Sequence, residues 1–389
     1  KTIHQTPVLN NCVSKYCNLF VPTAQLHVLQ PSTNTAQTKS SGGFELPEIA
    51  ESEKKISQGR YQDAEELLER AHTILSSSLG IKNPLTFQVS SKLFHVLMQQ
   101  RRFSKAQELA FSMLSAVEEK GSNPQIGLQT DALKFVVLLF SEQHKFDEAL
   151  GFCSQLLESQ RNNQQWIDVA ESLLQMGSLF ENNNQLLQAE KCFQQALEFV
   201  GKHSTKDQNL LLKARIMNNL GSVQHKRQLF PPALEFYNQA LDLVEKLRPT
   251  PPKKKDNKQA TEPTQPASEL SPADKEIEIE KGKIVSNMAE LFMDLKEFVK
   301  AEEYTNNALG ILEKVLSESD PLLTETVFLL ARTYQQRQQH VYAEGVYHNL
   351  IGTIERSLPQ AKPSQKKEAL KNQLKAVYEN YISVLRSRQ

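Results

Sequence analysis

From Tyr61 onward the apolar positions fall almost everywhere at helical spacing, and one short pattern recurs. An aromatic or bulky residue is followed three positions later by Ala: Tyr61/Ala64, Phe103/Ala106, Phe146/Ala149, Leu186/Ala189, Phe230/Ala233, Phe298/Ala301 and His340/Ala343. Apolar or small residues follow at +4 and +7 from that Ala, as in Leu68/Ala71, Cys153/Leu156, Phe193/Ala196, Tyr237/Ala240 and Tyr347/Leu350. Positions i, i+4 and i+7 share one helix face. Each instance therefore predicts a helix whose small Ala admits a close neighbour, with bulky residues filling the remaining gap. A second amphipathic helix is predicted upstream of each Ala. Its copies read Leu173, Met176, Gly177, Phe180; Met217, Leu220, Gly221; Val285, Met288, Ala289, Phe292; and Val327, Leu330, Ala331, Tyr334. A helical hairpin of this kind cannot bury its apolar face alone, so the units must stack.

The Ala-to-Ala steps are 42, 43, 40, 44, 68 and 42. The long step holds a stretch of different character, residues 248–275, with Pro249, Pro251, Pro252, Pro263, Pro266 and Pro272 among Lys, Gln, Thr and Ser. Such composition buries too little apolar surface to offset its ordering entropy and predicts a flexible linker. Within it, Lys253, Lys254 and Lys255 read as a solvated charge cluster rather than a nuclear-import run. Without the linker the register is kept throughout. The expected organisation is a tail over 1–44, hairpins one to five over 45–247, the linker over 248–275, hairpins six and seven over 276–361, and a capping helix over 362–389. That last segment carries Leu370, Leu374, Tyr378, Tyr381 and Leu385 at helical spacing.

The pattern large-x-x-Leu-Gly-x-x-Tyr followed by Ala-x-x-x-Phe-x-x-Ala, of which Leu173 to Ala196 is the clearest copy with Met176 and Phe180 at the Leu and Tyr places, resembles the tetratricopeptide repeat. The family's usual period is about 34, whereas this chain runs at 40 to 44. Longer repeats of the kinesin-light-chain kind are similar, and Gly80-Ile81-Lys82-Asn83-Pro84 and Asp320-Pro321 resemble their inter-repeat loops. The resemblance implies an all-α fold, an α-solenoid of about seven hairpins closed by a C-terminal capping helix. It also implies a concave groove, lined by the first helix of each hairpin, that holds peptides or helices of other proteins.

Composition narrows the functional classes. Forty-five Lys and Arg balance 45 Asp and Glu, which speaks against the basic footprint of a nucleic-acid binder. Apolar runs are far shorter than the roughly 20 residues a bilayer-spanning helix needs, which leaves peripheral association as the only membrane contact expected. Four cysteines in 389 residues are no disulfide framework. Cys12 and Cys17 lack CxxC spacing, and Cys153 and Cys192 sit in apolar helical patterns. No phosphate-cradling, dinucleotide, zinc-protease or serine-nucleophile motif occurs, so no catalytic residue, metal or cofactor is expected. Carboxylate pairs such as Glu65/Glu66 and Glu302/Glu303 read as solvated helix faces, and His95 and His225 as isolated exposed histidines. Trp166 reads as a packing anchor. The first 44 residues contain no Asp or Glu and are rich in Ser, Thr, Asn and Gln. They read either as a disordered tail or as a transit-like segment, and the latter points to mitochondria rather than cytoplasm.

Aligning each first helix on its small residue gives candidate groove positions. Arg215 and Asn219 occupy one pair of slots, and Lys283 and Asn287 the same pair one hairpin on; Asn218 and Ser222 add polar ends, and Phe135 and Phe328 apolar surface. By analogy with the family's carboxylate clamps, a basic head and an amide one turn apart suit a peptide main chain or carboxylate. Asp131/Phe135 and Glu171/Gln175, at the equivalent slots, do not complete such a clamp. The expected function is a non-enzymatic scaffold binding one or more proteins, as an assembly factor or accessory subunit of an organellar complex, and either monomeric or part of a hetero-complex. The alternatives are a permanent structural subunit of a large assembly and a motor-cargo adaptor of the kinesin-light-chain type.

Overall fold

The computed structural model describes residues 47–118, 126–205, 208–247, 270–318, 320–358 and 364–387. Every regular element among them is an α-helix, in the order α1 (Pro47–Ser57), α2 (Tyr61–Leu79), α3 (Pro84–Gln99), α4 (Phe103–Glu118), α5 (Ile126–Glu142), α6 (Phe146–Asn162), α7 (Trp166–Asn182), α8 (Leu186–His203), α9 (Leu210–Lys226), α10 (Phe230–Leu247), α11 (Pro272–Asp294), α12 (Phe298–Leu312), α13 (Pro321–Gln336), α14 (His340–Ser357) and α15 (Ser364–Ser387). The chain divides into two compact units: Lys1–Gln164 with Asn182–Asn184, and Gln165–Glu181 with Gln185–Gln389. The first holds α1 to α6, three hairpins. The second holds α7 to α14, four hairpins, and α15. The acid-free tail and the Lys253–Lys255 run lie outside the described residues.

The seven register alanines, from Ala64 to Ala343, are all fully buried. The small residue of the opposing helix matters as much. A methyl group on Gly177 would stand 2.3 Å from the Phe193 ring, and one on Gly221 would stand 2.6 Å from the Tyr237 ring. In these two hairpins the missing side chain is what lets an aromatic ring lie directly on the partner helix.

The hairpin turns share one device. The second residue after the first helix adopts the left-handed conformation: Gly59 (φ 71°), Arg101 (54°), His144 (57°), Asn184 (58°), Gln228 (63°), Lys296 (62°) and Gln338 (59°). The next amide then reaches back five residues to an orphan carbonyl, as Arg102 N does to Leu97 O, Glu297 N to Phe292 O and Gln339 N to Tyr334 O, each at 2.9 Å. That is the Schellman closure, here made without glycine in all but the first hairpin. Two of the loops between hairpins use a different signal. Asn83 and Asp320 accept the amides of Leu85 and Leu322 at 3.0 and 2.9 Å, with Pro84 and Pro321 in the first turn that follows.

Three expectations need correction. α11 starts at Pro272, inside the stretch read as linker, because Ser271 caps it by accepting the Asp274 amide at 3.1 Å. Glu65 and Glu302 are not solvated. Glu65 is 2% exposed and pairs with Arg102 and, at 3.1 Å, Lys105; Glu302 pairs with Arg337. Glu190 occupies the same slot, one residue past the register Ala, and meets Arg227 at 2.5 Å. A carboxylate on one second helix thus bonds the arginine in the next hairpin's turn. Burial pushes the Glu65 carboxyl up, but hydrogen bonds from Arg102 and Lys105 outweigh it and hold it below the ordinary value. His95 and His225, finally, are not exposed. His95 packs edge-on against Phe94 and Phe135, ring centroids 5.8 and 5.5 Å away, and burial lowers its pKa. His225 meets Asp294, with Nε2 3.0 Å from the carboxylate.

Candidate binding face

In the second unit the first helices of successive hairpins, α7, α9, α11 and α13, carry most of the candidate residues. α11 is the longest of these four helices, and along one side of it stand Glu276, Glu280, Lys283, Asn287, Glu290 and Asp294. Their steps of four and three residues place all six on one face. The side chains of α9 interlock with this stripe. Arg215 pairs with Glu276 and lies 3.6 Å from Glu280, and Asn218 donates to Glu280 at 3.3 Å while accepting from Asn287 at 2.9 Å. Lys283 is 3.9 Å from Glu280. Towards α7, Asn219 donates to Ser178 Oγ at 3.3 Å; Ser222 and Lys226 both reach Glu181, at 2.6 and 2.8 Å.

Glu280 is only 4% exposed, so its charge depends on these partners. The consequence is electrostatic. The two cations expected to meet a ligand's carboxylate meet the protein's own Glu276 and Glu280. The face is set with amides and carboxylates held in place, and its positive charge is already spent.

At the other end of the stripe the balance reverses. Glu325, on α13, has its Oε1 closed off from solvent and without a hydrogen-bond partner. Burial first, and then the charges of Glu290 and Asp320, push its carboxyl up to about 8. Phe328, one turn along, is half-buried, its ring centroid 6.0 Å from that of Tyr347. Phe135 belongs to the first unit and is a correction. It is 6% exposed, in a cluster with Phe94 (4.8 Å) and Phe87 (6.3 Å), and offers no open apolar surface. Trp166 stacks on His203 at 4.9 Å and Phe199 at 6.0 Å, as a packing anchor does.

The sequence reading missed Glu276, Glu280, Glu290 and Glu325. The polar steps along α11 carried the signal, but the apolar register points to the opposite side of the helix. Among the described residues no group of three His, Cys, Asp or Glu is placed to hold a metal ion, and no helix is long and apolar enough to cross a membrane.

No family model matches the chain, and no curated protein matches it. Solved structures do. A Rap protein complexed with competence and sporulation factor is similar over 88% of this chain and 84% of its own, at 15% identity and a TM-score of 0.54. A signal transduction ATPase with a tetratricopeptide repeat sensor, from Pyrococcus horikoshii, matches 88% of this chain and 43% of its own, at 13% identity and a TM-score of 0.51. The fold is that of tetratricopeptide-like repeats. BtubC from P. vanneervenii matches 68% of this chain and 89% of its own, at 18% identity and a TM-score of 0.48. In tetratricopeptide-like terms the interlocked face of α9 and α11 is the first-helix face of hairpins five and six.

Proposed function

We propose that this tetratricopeptide-like chain is a non-enzymatic interaction scaffold that takes a peptide or helix of another protein along the first-helix face of its second unit. The observation that carries this reading is the fixed polar stripe of α11. Its side chains are cross-bonded to α9, so a partner finds them already ordered and loses less freedom on binding. The bound factor in the Rap structure supports the same use of the fold. Glu290 and Glu325 give the face its polarity. Among the described residues neither has a cation beside it, so a lysine or arginine of the partner fits there. The test is in-cell crosslinking with partner identification, comparing the wild type with a Glu290→Lys/Glu325→Gln variant. Loss of most of the captured partner, with the helical content kept, is expected; undiminished capture overturns the reading.

The acid-free first 44 residues favour an organellar setting, in which the scaffold serves as an assembly factor or accessory subunit of a mitochondrial complex. Fusing that segment to a fluorescent protein tests this, and a diffuse cytosolic signal would retire it.

A further inference from the structure

A buried side-chain amide is normally hydrogen-bonded, because burying it without a partner forfeits its bonds to water. Four such amides are buried among the described residues, and three of them follow the rule. Asn218 bonds Glu280 and Asn287, Gln224 donates to Glu190 at 2.8 Å, and Gln373 donates to Thr324 Oγ1 at 2.9 Å. Gln160, on α6 in the first unit, does not. It is 0% exposed, and neither its Nε2 nor its Oε1 has a hydrogen-bond partner.

The register shows how far this residue departs from its counterparts. Gln160 stands eleven residues after the register alanine Ala149. The same slot holds Leu75, Val117, Val200, Val244, Leu312 and Ile354 in the other hairpins. All six are apolar, and all are buried except Val117, which is half-buried. Positions 149, 153, 156 and 160 share one face of α6, being spaced by four, three and four residues. Ala149, Cys153 and Leu156 are fully buried. The strip is thus closed and free of hydrogen-bonding groups until its last slot, where the amide sits.

An amide of this kind penalises the closed state alone, because water satisfies both of its atoms as soon as the turn around it opens. The helices with Leu, Val or Ile in the slot carry no such penalty. Opening of the last turns of α6 is therefore easier than opening of the matching turns of α2, and local openings of this sort occur well below the free energy of global unfolding.

We propose that Gln160 makes the C-terminal half of α6 a reversible opening point of the first unit, and that each opening uncovers the strip of Cys153 and Leu156. The orphan amide sets how often the turns open. The uncovered strip is an apolar surface with a thiol in it that the closed state does not present.

Thiol alkylation of the full chain by iodoacetamide measures the opening, with Cys12→Ser, Cys17→Ser and Cys192→Ser leaving Cys153 as the one cysteine. Cys153 is 0% exposed, so the reagent reacts through the open state and the rate reports how often it forms. Gln160→Leu and Gln160→Met, added singly, each place an apolar side chain of similar size in the slot. Both should slow the alkylation at least tenfold. Hydrogen exchange resolved by helix locates the effect: the last turns of α6 should gain protection while α2 and α3 stay as they were. Alkylation that both variants leave unchanged or accelerate overturns the proposal. Loss of helical circular dichroism in both also overturns it, because the amide would then be holding the fold through bonds of its own. Equal gains of protection across α2, α3 and α6 overturn it as well, since the amide would then act on the unit as a whole.

Discussion

At one slot of the first helices the first unit places Phe135 and the second places Asn219 and Asn287. Around that slot the two units are held differently. In the first unit Phe87, Phe94, His95 and Phe135 close over one another, and Phe140 stacks on Phe152 at 5.6 Å. In the second unit the equivalent face is a lattice of amides, carboxylates and one arginine. Both solutions stack the same hairpins, since the register alanines lie on other seams. An aromatic first-helix face is spent on cohesion. A polar one coheres through directional bonds while leaving charges and amides partly open to another molecule.

The comparison can be broken from either side. Phe135→Ala should cost about 3–5 kcal/mol, whereas Asn219→Ala should cost about 1 kcal/mol or less. Because repeat arrays unfold in parts, hydrogen exchange resolved by helix is the measurement, with faster exchange in α3 and α5 for the first variant and little change for the second. Glu280→Ala strands the Asn218 donor and leaves Arg215 with Glu276 alone, and should cost about 1–3 kcal/mol, read as faster exchange in α9 and α11 with the first unit unaffected. Gly221→Ala drives a methyl into the Tyr237 ring and should cost about 1–3 kcal/mol.

Glu325 adds a dependence on pH. Its folded-state pKa, about 8, lies above the ordinary carboxyl value of 4.5. Below pH 4.5 the carboxyl is protonated whether the chain is folded or not, and it contributes nothing. Between about 4.5 and 8 the unfolded chain releases the proton first, so stability falls as pH rises, and above 8 the loss is complete. Glu325→Gln should therefore be near neutral at pH 4 and stabilise α13 by roughly 2 kcal/mol at pH 9, measured by urea titration at the two pH values. The smallest effect is at the turns. Gln228→Gly should stabilise hairpin five by about 0.5 kcal/mol, because glycine adopts the left-handed conformation without strain. Gly59→Ala should cost the first hairpin a similar amount.

The architecture was legible because close packing imposes a period. Ala64 to Ala343 and Gly177 and Gly221 can only be small, and a residue constrained by volume repeats wherever the seam repeats. The polar partners follow no such rule. Glu65 and Arg102 stand 37 positions apart and Arg215 and Glu276 stand 61 apart, the second pair straddling the Pro-rich insertion. Neither contact leaves an amphipathic trace, and Arg215 looks like an available cation until its acceptor is placed. His95 misled for a related reason. Its surroundings come from α5 and from its own neighbour Phe94, and no local pattern shows that Phe135 will lie against it.

The pairing of Arg215 with Glu276 has a practical corollary. α10 packs on its own hairpin partner α9, and the opening turns of α11 are fastened sideways to the same helix. That junction is a socket for protein engineering. A fluorescent reporter or a degradation tag spliced between Leu247 and Leu270 would ride on the array as cargo without disturbing the helices on either side.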